Sequence, residues 1–217
     1  MNKLLASKWT KVGLFCLCLV PLGRLLWGSY QASPWGSDPL ALSANPIEFI
    51  THSTGDWILR FLLITLCITP LRVLLKEPLF TRYRRMLGLY AFFYAVVHFS
   101  VWFVLDKSFD FGEMWKDVLK RRFITVGMLG LVCLIPLAIT STAGWVRRLK
   151  YKRWQALHRL IYVAAAAGVI HYYWLVKSDV RLPLMYGAML AVLLLYRVVR
   201  ARQTARPASR PAAAIAK

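Results

Sequence analysis

Six apolar stretches divide this chain, at residues 12–30, 57–75, 86–105, 123–142, 157–176 and 182–199. Each is close to the ~20 residues that a helix rising ~1.5 Å per residue needs to cross a ~30 Å hydrocarbon core. No other feature restricts the fold as strongly. In lipid the backbone N–H and C=O groups must be satisfied within the segment, which leaves the helix as the form open to each stretch. The expected architecture is an all-α membrane protein, a six-transmembrane helix bundle. Of its 217 residues 59% are hydrophobic, and the connections are too short to hold a separate soluble domain. Residues 1–200 are therefore expected to form one membrane unit. Residues 201–217, where Ala, Pro and Arg dominate, are expected to be a disordered basic cytoplasmic tail.

The net charge of +20 is distributed as a topology signal. Placing the N-terminus in the cytoplasm puts four basic groups on that side. They are Lys3, Lys8 and Lys11; Arg72, Lys76, Arg82, Arg84 and Arg85; Arg147, Arg148, Lys150, Lys152, Arg153 and Arg159; and Arg197, Arg200, Arg202, Arg206, Arg210 and Lys217. A single acid, Glu77, accompanies them. On the opposite side, Asp38, Glu48, Asp106, Asp110, Glu113, Asp117 and Asp179 balance the basic residues. The positive-inside rule then predicts both termini in the cytoplasm. Nucleic-acid binding is not expected, because no basic helix or stacking platform accompanies the charge. The 106–122 connection alternates acids and bases around Phe109, Phe111, Met114 and Trp115 and reads as an amphipathic segment at the outer interface. The first stretch lacks a small-residue cleavage site and reads as a retained helix.

An imidazole inside a membrane span is costly and is by default a functional group. His98 lies within 86–105, and His158 and His171 bracket the run 160–176. The third span runs outward and puts His98 ~10 Å from its outer end, while the fifth puts His171 ~8 Å from the same side. Two helical histidines at matched depth are what bis-imidazole ligation of a haem iron requires. With both axial positions filled, such an iron transfers electrons and has no place for substrate. Each histidine taken singly fits a helix-packing role, but the matched pair with a third on the same span fits haem better. No C-x-x-C-H occurs, so the haem would be held without thioether links. His158 precedes His171 by thirteen residues, ~20 Å along a helix and ~140° around it. A second haem at that level would complete a relay across the bilayer. It would need a bulge near Gly168 to bring His158 to the same face. The third span offers Arg84 at that depth and no histidine, so a lower iron needs another ligand or remains five-coordinate. His52 reads as a loop residue or helix-start hydrogen bonder before the second span. Asp56 and Arg60 are spaced to pair along a helix, and Arg60 could instead reach a haem propionate at the outer surface.

A series of short motifs follows in order: SDP at 37–39, HSTG at 52–55, ITPL at 68–71, RRMLGL at 84–89, AVVH at 95–98, TST at 140–142, KRWQALHRLIY at 152–162 and IHYYW at 170–174. The series resembles the MsrQ (YedZ) family, the haem-binding membrane subunits of the bacterial periplasmic methionine-sulfoxide reductase system, within the wider ferric-reductase-like transmembrane group. The resemblance implies a multi-pass b-type haem protein of the bacterial inner membrane. It implies His98, His171 and His158 as the haem-associated residues, with one haem b, while Arg84, where the wider group has a histidine, leaves a second, inner haem open. Electrons would come from a cytoplasmic flavin reductase or from quinol. They would pass to a periplasmic molybdopterin-containing methionine-sulfoxide reductase that repairs oxidised envelope proteins, so substrate chemistry belongs to the partner. The resemblance also brings FMN, for which no phosphate-cradling glycine loop gives a location. Two other readings stay open. One is a ferric or cupric reductase with an outer metal site at His52 with Asp38 or Glu48. The other is a redox-inactive transporter or scaffold, whose intramembrane charges would be Arg24 and Arg60.

Overall fold

A computed structural model describes residues 7–205; Lys3 and the tail beyond Ala205 lie outside them. The described residues contain helices and no strand. In chain order these are α1 (Lys8–Gln31), α2 (Pro46–Leu74), a 3-10 turn (Pro78–Phe80), α3 (Thr81–Val101) running into a π turn (Trp102–Asp106), α4 (Phe111–Lys120), α5 (Arg122–Ile139), α6 (Ala143–Leu157), α7 (Leu160–Leu175) and α8 (Arg181–Ala205). Among the described residues five segments are long and apolar enough to cross a membrane: Lys8–Gln31, Pro46–Leu74, Pro78–Asp106, Arg122–Ile139 and Arg181–Thr204. The sixth expected span, α7, has 16 residues and so reaches only ~24 Å. The molecule is a multi-pass membrane protein.

Three boundaries differ from the hydropathy reading, each for a local reason. α2 begins at Pro46, well before the apolar run, because Asn45 caps it: its side chain accepts from the Glu48 N–H at 3.3 Å and donates to the Glu48 carboxylate at 2.9 Å. Proline at the first helical position suits this start. His52, expected in a loop or at a helix start, is consequently helical, and the connection after α1 ends before Pro46. The fifth span breaks at its start. His158 caps the C-terminus of α6, and the chain turns before α7 begins at Leu160. His158 and His171 therefore do not share a helix, so the ~140° separation lapses and no bulge at Gly168 is required. Finally, α8 continues through Ala205, so the first residues of the expected tail are helical. The 106–122 segment contains a helix, α4, started by Asp110 accepting from the Glu113 N–H at 2.9 Å.

Packing is densest where α2 meets α3 and α5 meets α7. Leu62, Leu66, Ala91 and Tyr94 are almost wholly buried at the first contact, with the Phe61 and Tyr90 rings stacked at 5.6 Å. At the second, Gly130 lies against Ala164 and Ala167, so small residues let the backbones approach. That is the usual basis of helix association where surrounding lipid is as apolar as the core. Tyr94 also ties α1 to the bundle: its hydroxyl donates to the Cys18 carbonyl at 2.9 Å and accepts from the Leu22 N–H at 3.1 Å. It is inserted into the helical ladder next to Pro21, where an insertion bends a helix at little cost. At the other side, Arg197 of α8 donates to the Leu66 carbonyl (2.8 Å) and the Tyr162 hydroxyl (3.1 Å).

Candidate functional site

α2, α3, α5 and α7 enclose a cavity of about 510 Å³ that both His98 and His171 line. The two rings approach to 6.2 Å between centroids with their planes at 90°. A metal–imidazole bond of ~2 Å, plus ~1 Å from nitrogen to ring centre, sets two rings on a shared ion ~6 Å apart. The observed spacing fits that requirement.

Each ring is oriented through Nδ1. His98 Nδ1 lies 3.0 Å from the Thr51 carbonyl oxygen and 3.2 Å from Thr54 Oγ1. His171 Nδ1 lies 2.6 Å from the Phe123 carbonyl oxygen. A carbonyl can only accept, so Nδ1 carries the proton in both rings, leaving Nε2 with its lone pair. Neither Nε2 has a hydrogen-bond partner among the described residues. A backbone carbonyl on the far nitrogen is the usual support of a metal-ligating histidine, fixing its tautomer and raising its basicity. A π turn directly follows α3 and supplies Trp102 to the cavity wall; such turns are frequent at functional sites.

Glycines make the space. A Cβ on Gly127 would stand 2.7 Å from His171 Nδ1, and one on Gly55 3.3 Å from His98 Cε1. On Gly168 it would meet Leu59 at 2.9 Å. Gly55, Ala95, Gly127, Gly130, Ala164 and Gly168 all line the cavity, a wall of small residues suited to a broad, flat, apolar group. The donor set and the cradle both fit a haem.

The other expected site residues lie elsewhere. His158 does not line this cavity. Its Nε2 is 3.1 Å from the Thr140 hydroxyl, its ring packs on Trp154 at 4.0 Å, and Arg84 is its charged neighbour. Arg60 is not among the lining residues: its Nε donates to the Tyr186 hydroxyl at 3.1 Å, its Nη2 lies 3.6 Å from Asp56, and it sits 4.7 Å over the Trp57 ring. The cation at the cavity is Arg121, which the sequence did not single out. His52 stands at the mouth, 4.0 Å from Glu48. No group of three or more metal-capable His, Cys, Asp or Glu side chains occurs among the described residues.

The family described as ferric reductase like transmembrane component matches residues 54–169. Three similar proteins carry the name protein-methionine-sulfoxide reductase heme-binding subunit MsrQ. The one from Herminiimonas arsenicoxydans is 54% identical over 88% of this chain and 84% of its own length. The one from Xanthomonas euvesicatoria pv. vesicatoria is 50% identical over 89% and 88%. The one from Caulobacter vibrioides is 46% identical over 88% of each. The chain belongs to the MsrQ family of ferric-reductase-like transmembrane proteins. The matched segment takes in Thr54, His98, Gly127 and His158 and ends two residues before His171.

Apart from Arg121, the residues missed by sequence reasoning are those that act through the backbone or through absence. Nothing in the composition marks the Thr51 and Phe123 carbonyls. Gly127 and Gly130, three apart on an apolar helix, are the one signal that a close approach was coming.

Proposed function

We propose that this chain is a b-type haem electron carrier of the bacterial inner membrane, the membrane subunit of a protein-methionine-sulfoxide reductase system. The observation that carries this reading is the pair of imidazoles 6.2 Å apart, each oriented by a backbone carbonyl at Nδ1, in a glycine-walled cavity. His98 and His171 are the residues that hold the iron; bound haem supplies one-electron chemistry. The surrounding protein fixes the tautomers, excludes water with apolar walls and places the centre near one membrane face.

The proposed topology has six crossings, α7 included, with both termini in the cytoplasm. That orientation puts the cavity near the periplasmic side. Residues 1–200 form the haem-binding unit and 201–217 a cytoplasmic tail. The acceptor is a periplasmic molybdopterin-containing subunit that reduces methionine sulfoxide. The donor is a cytoplasmic flavin reductase or quinol, with FMN as a further cofactor. His158, beside Arg84 near the cytoplasmic side, is the histidine at the inner level, and it would hold a second haem only by releasing the Thr140 hydroxyl.

The test is spectroscopic. Protein purified in detergent from haem-replete cells is expected to show a reducible b-type spectrum. His98→Ala and His171→Ala are each expected to remove most of it. Colourless wild-type protein would defeat the proposal.

A further inference from the structure

Arg121 joins two helices. Its extended backbone (φ −101°, ψ 100°) ends α4 and starts α5, and the residue lines the cavity that the two proposed haem ligands share, with its side chain half exposed. It is the one lysine or arginine among the lining residues. Nε is held 3.2 Å from Asp117 Oδ1, while the two Nη groups engage no partner among the described residues. Asp117 is itself bound by Lys107, whose Nζ lies 2.7 Å from Oδ2. Because Lys107 occupies that carboxylate, Arg121 is positioned by Asp117 without being neutralised by it alone.

The start of α5 adds donors at the same place. No side chain caps α5, as is also true of α3 and α7, and of these three only the α5 start carries Arg121 at the cavity. The Ile124 N–H is taken by the Arg121 carbonyl at 2.9 Å, so the Arg122 and Phe123 N–H groups are the first-turn donors left at this anion-favouring helix end. The same turn supplies the Phe123 carbonyl that orients His171. The acids at the rim are already engaged: Glu48 by Asn45 (2.9 Å), Asp56 by Arg60 (3.6 Å) and Asp106 by Lys107 (3.3 Å).

We infer that Arg121 and the uncapped start of α5 form a carboxylate-binding site at the outer mouth of the cavity, which takes a propionate of the haem held by His98 and His171. A guanidinium presents paired N–H donors that match a carboxylate, and such charge-assisted bonds are about twice as strong as neutral ones. The inference rests on the haem reading and reassigns the propionate contact from Arg60, which is committed to Tyr186.

The test compares haem b with its dimethyl ester, which keeps the iron and macrocycle but has no carboxylate. Full-length protein in detergent is loaded with either, and loss to a haem scavenger is timed. For haem b, Arg121→Ala is expected to speed loss about tenfold or more, the size of one charge-assisted hydrogen bond, with Arg121→Lys restoring part of the retention. For the ester, wild type and Arg121→Ala are expected to lose it at the same rate. Arg60→Ala is expected to leave both rates near wild type. Equal acceleration for both ligands would show that Arg121 only holds the Phe123 turn in place, and no acceleration would show that it has no part; either result overturns the inference. Wild type that takes up neither ligand would instead overturn the haem reading itself.

Discussion

The outer and inner histidines are the same residue type in opposite chemical states of availability. His98 and His171 spend Nδ1 on backbone carbonyls and face a shared cavity with Nε2 unengaged. His158 has Nε2 against the Thr140 hydroxyl, packs at a tilt against Trp154, and has Arg84 where the outer level has a second imidazole. The walls differ as well. Glycine and alanine leave room above, whereas the inner ring is covered by an indole. The difference teaches that a histidine in a membrane bundle is a ready ligand when the far nitrogen is tied to an acceptor and the near one faces open space. Its presence at the right depth is not enough.

The largest expected effect that could break this comparison is steric. Gly127→Val places a side chain where a Cβ already meets His171 Nδ1 at 2.7 Å. It is expected to remove as much haem absorbance as His171→Ala. Gly13→Val, where a Cβ would meet nothing within 4 Å, serves as the control and should leave the spectrum unchanged.

The next effect concerns the charged cluster around Lys107, which holds Asp117 beside Arg121. Lys107 is only 6% exposed and lies within 3.3 Å of Asp106, Glu113 and Asp117. Its hydrogen bond to Asp117 holds the ammonium above the ordinary lysine range, against the opposing effect of burial. Asp106 and Glu113 are half exposed and only Asp117 is largely buried, so losing the cation leaves one carboxylate short of its partner and costs about 1–3 kcal/mol. Lys107→Met is thus expected to lower the melting temperature in detergent and to loosen haem retention. Because the folded-state pKa is raised, this contribution is fully present below the unfolded lysine value of ~10.4 and is lost only as pH rises past the folded one. Haem retention measured from pH 7 to 10 should stay flat on this account; a midpoint inside that window would contradict it.

The inner level provides a sharper contrast. His158→Ala is expected to lower haem per chain or shift a midpoint potential while the outer absorbance persists. Identical haem content and potentials in that variant would assign His158 to packing. The smallest effect is at Arg60. Tyr186→Phe removes one hydrogen bond at 3.1 Å and is expected to cost about 1 kcal/mol in melting experiments with no change in the haem spectrum.

Much of the bundle was legible because lipid imposes a one-dimensional rule. Length and apolarity identified the membrane stretches, and the alternation of acids and bases at 106–122 marked the amphipathic α4. Depth counted along α3 and toward the end of α7 matched His98 with His171, since rise per residue is constant. Boundaries set by caps were not legible from hydropathy. Asn45 and Pro46 began α2 early and made His52 helical, and a turn after His158 removed it from α7. Those depend on hydrogen bonds of individual side chains, to which an average over twenty residues is blind.

The sequence alone determined the helical membrane class, the family and the depth at which two imidazoles would lie, because each follows from local composition and a fixed helical rise. The tertiary structure alone decided which ring nitrogen is free, which glycines open the cavity, and that Arg121 and not Arg60 faces it. These depend on the rotation of each helix about its axis and on contacts between residues as far apart as Thr51 and His98 or Phe123 and His171. Such rotation is set by side-chain packing across several helices at once.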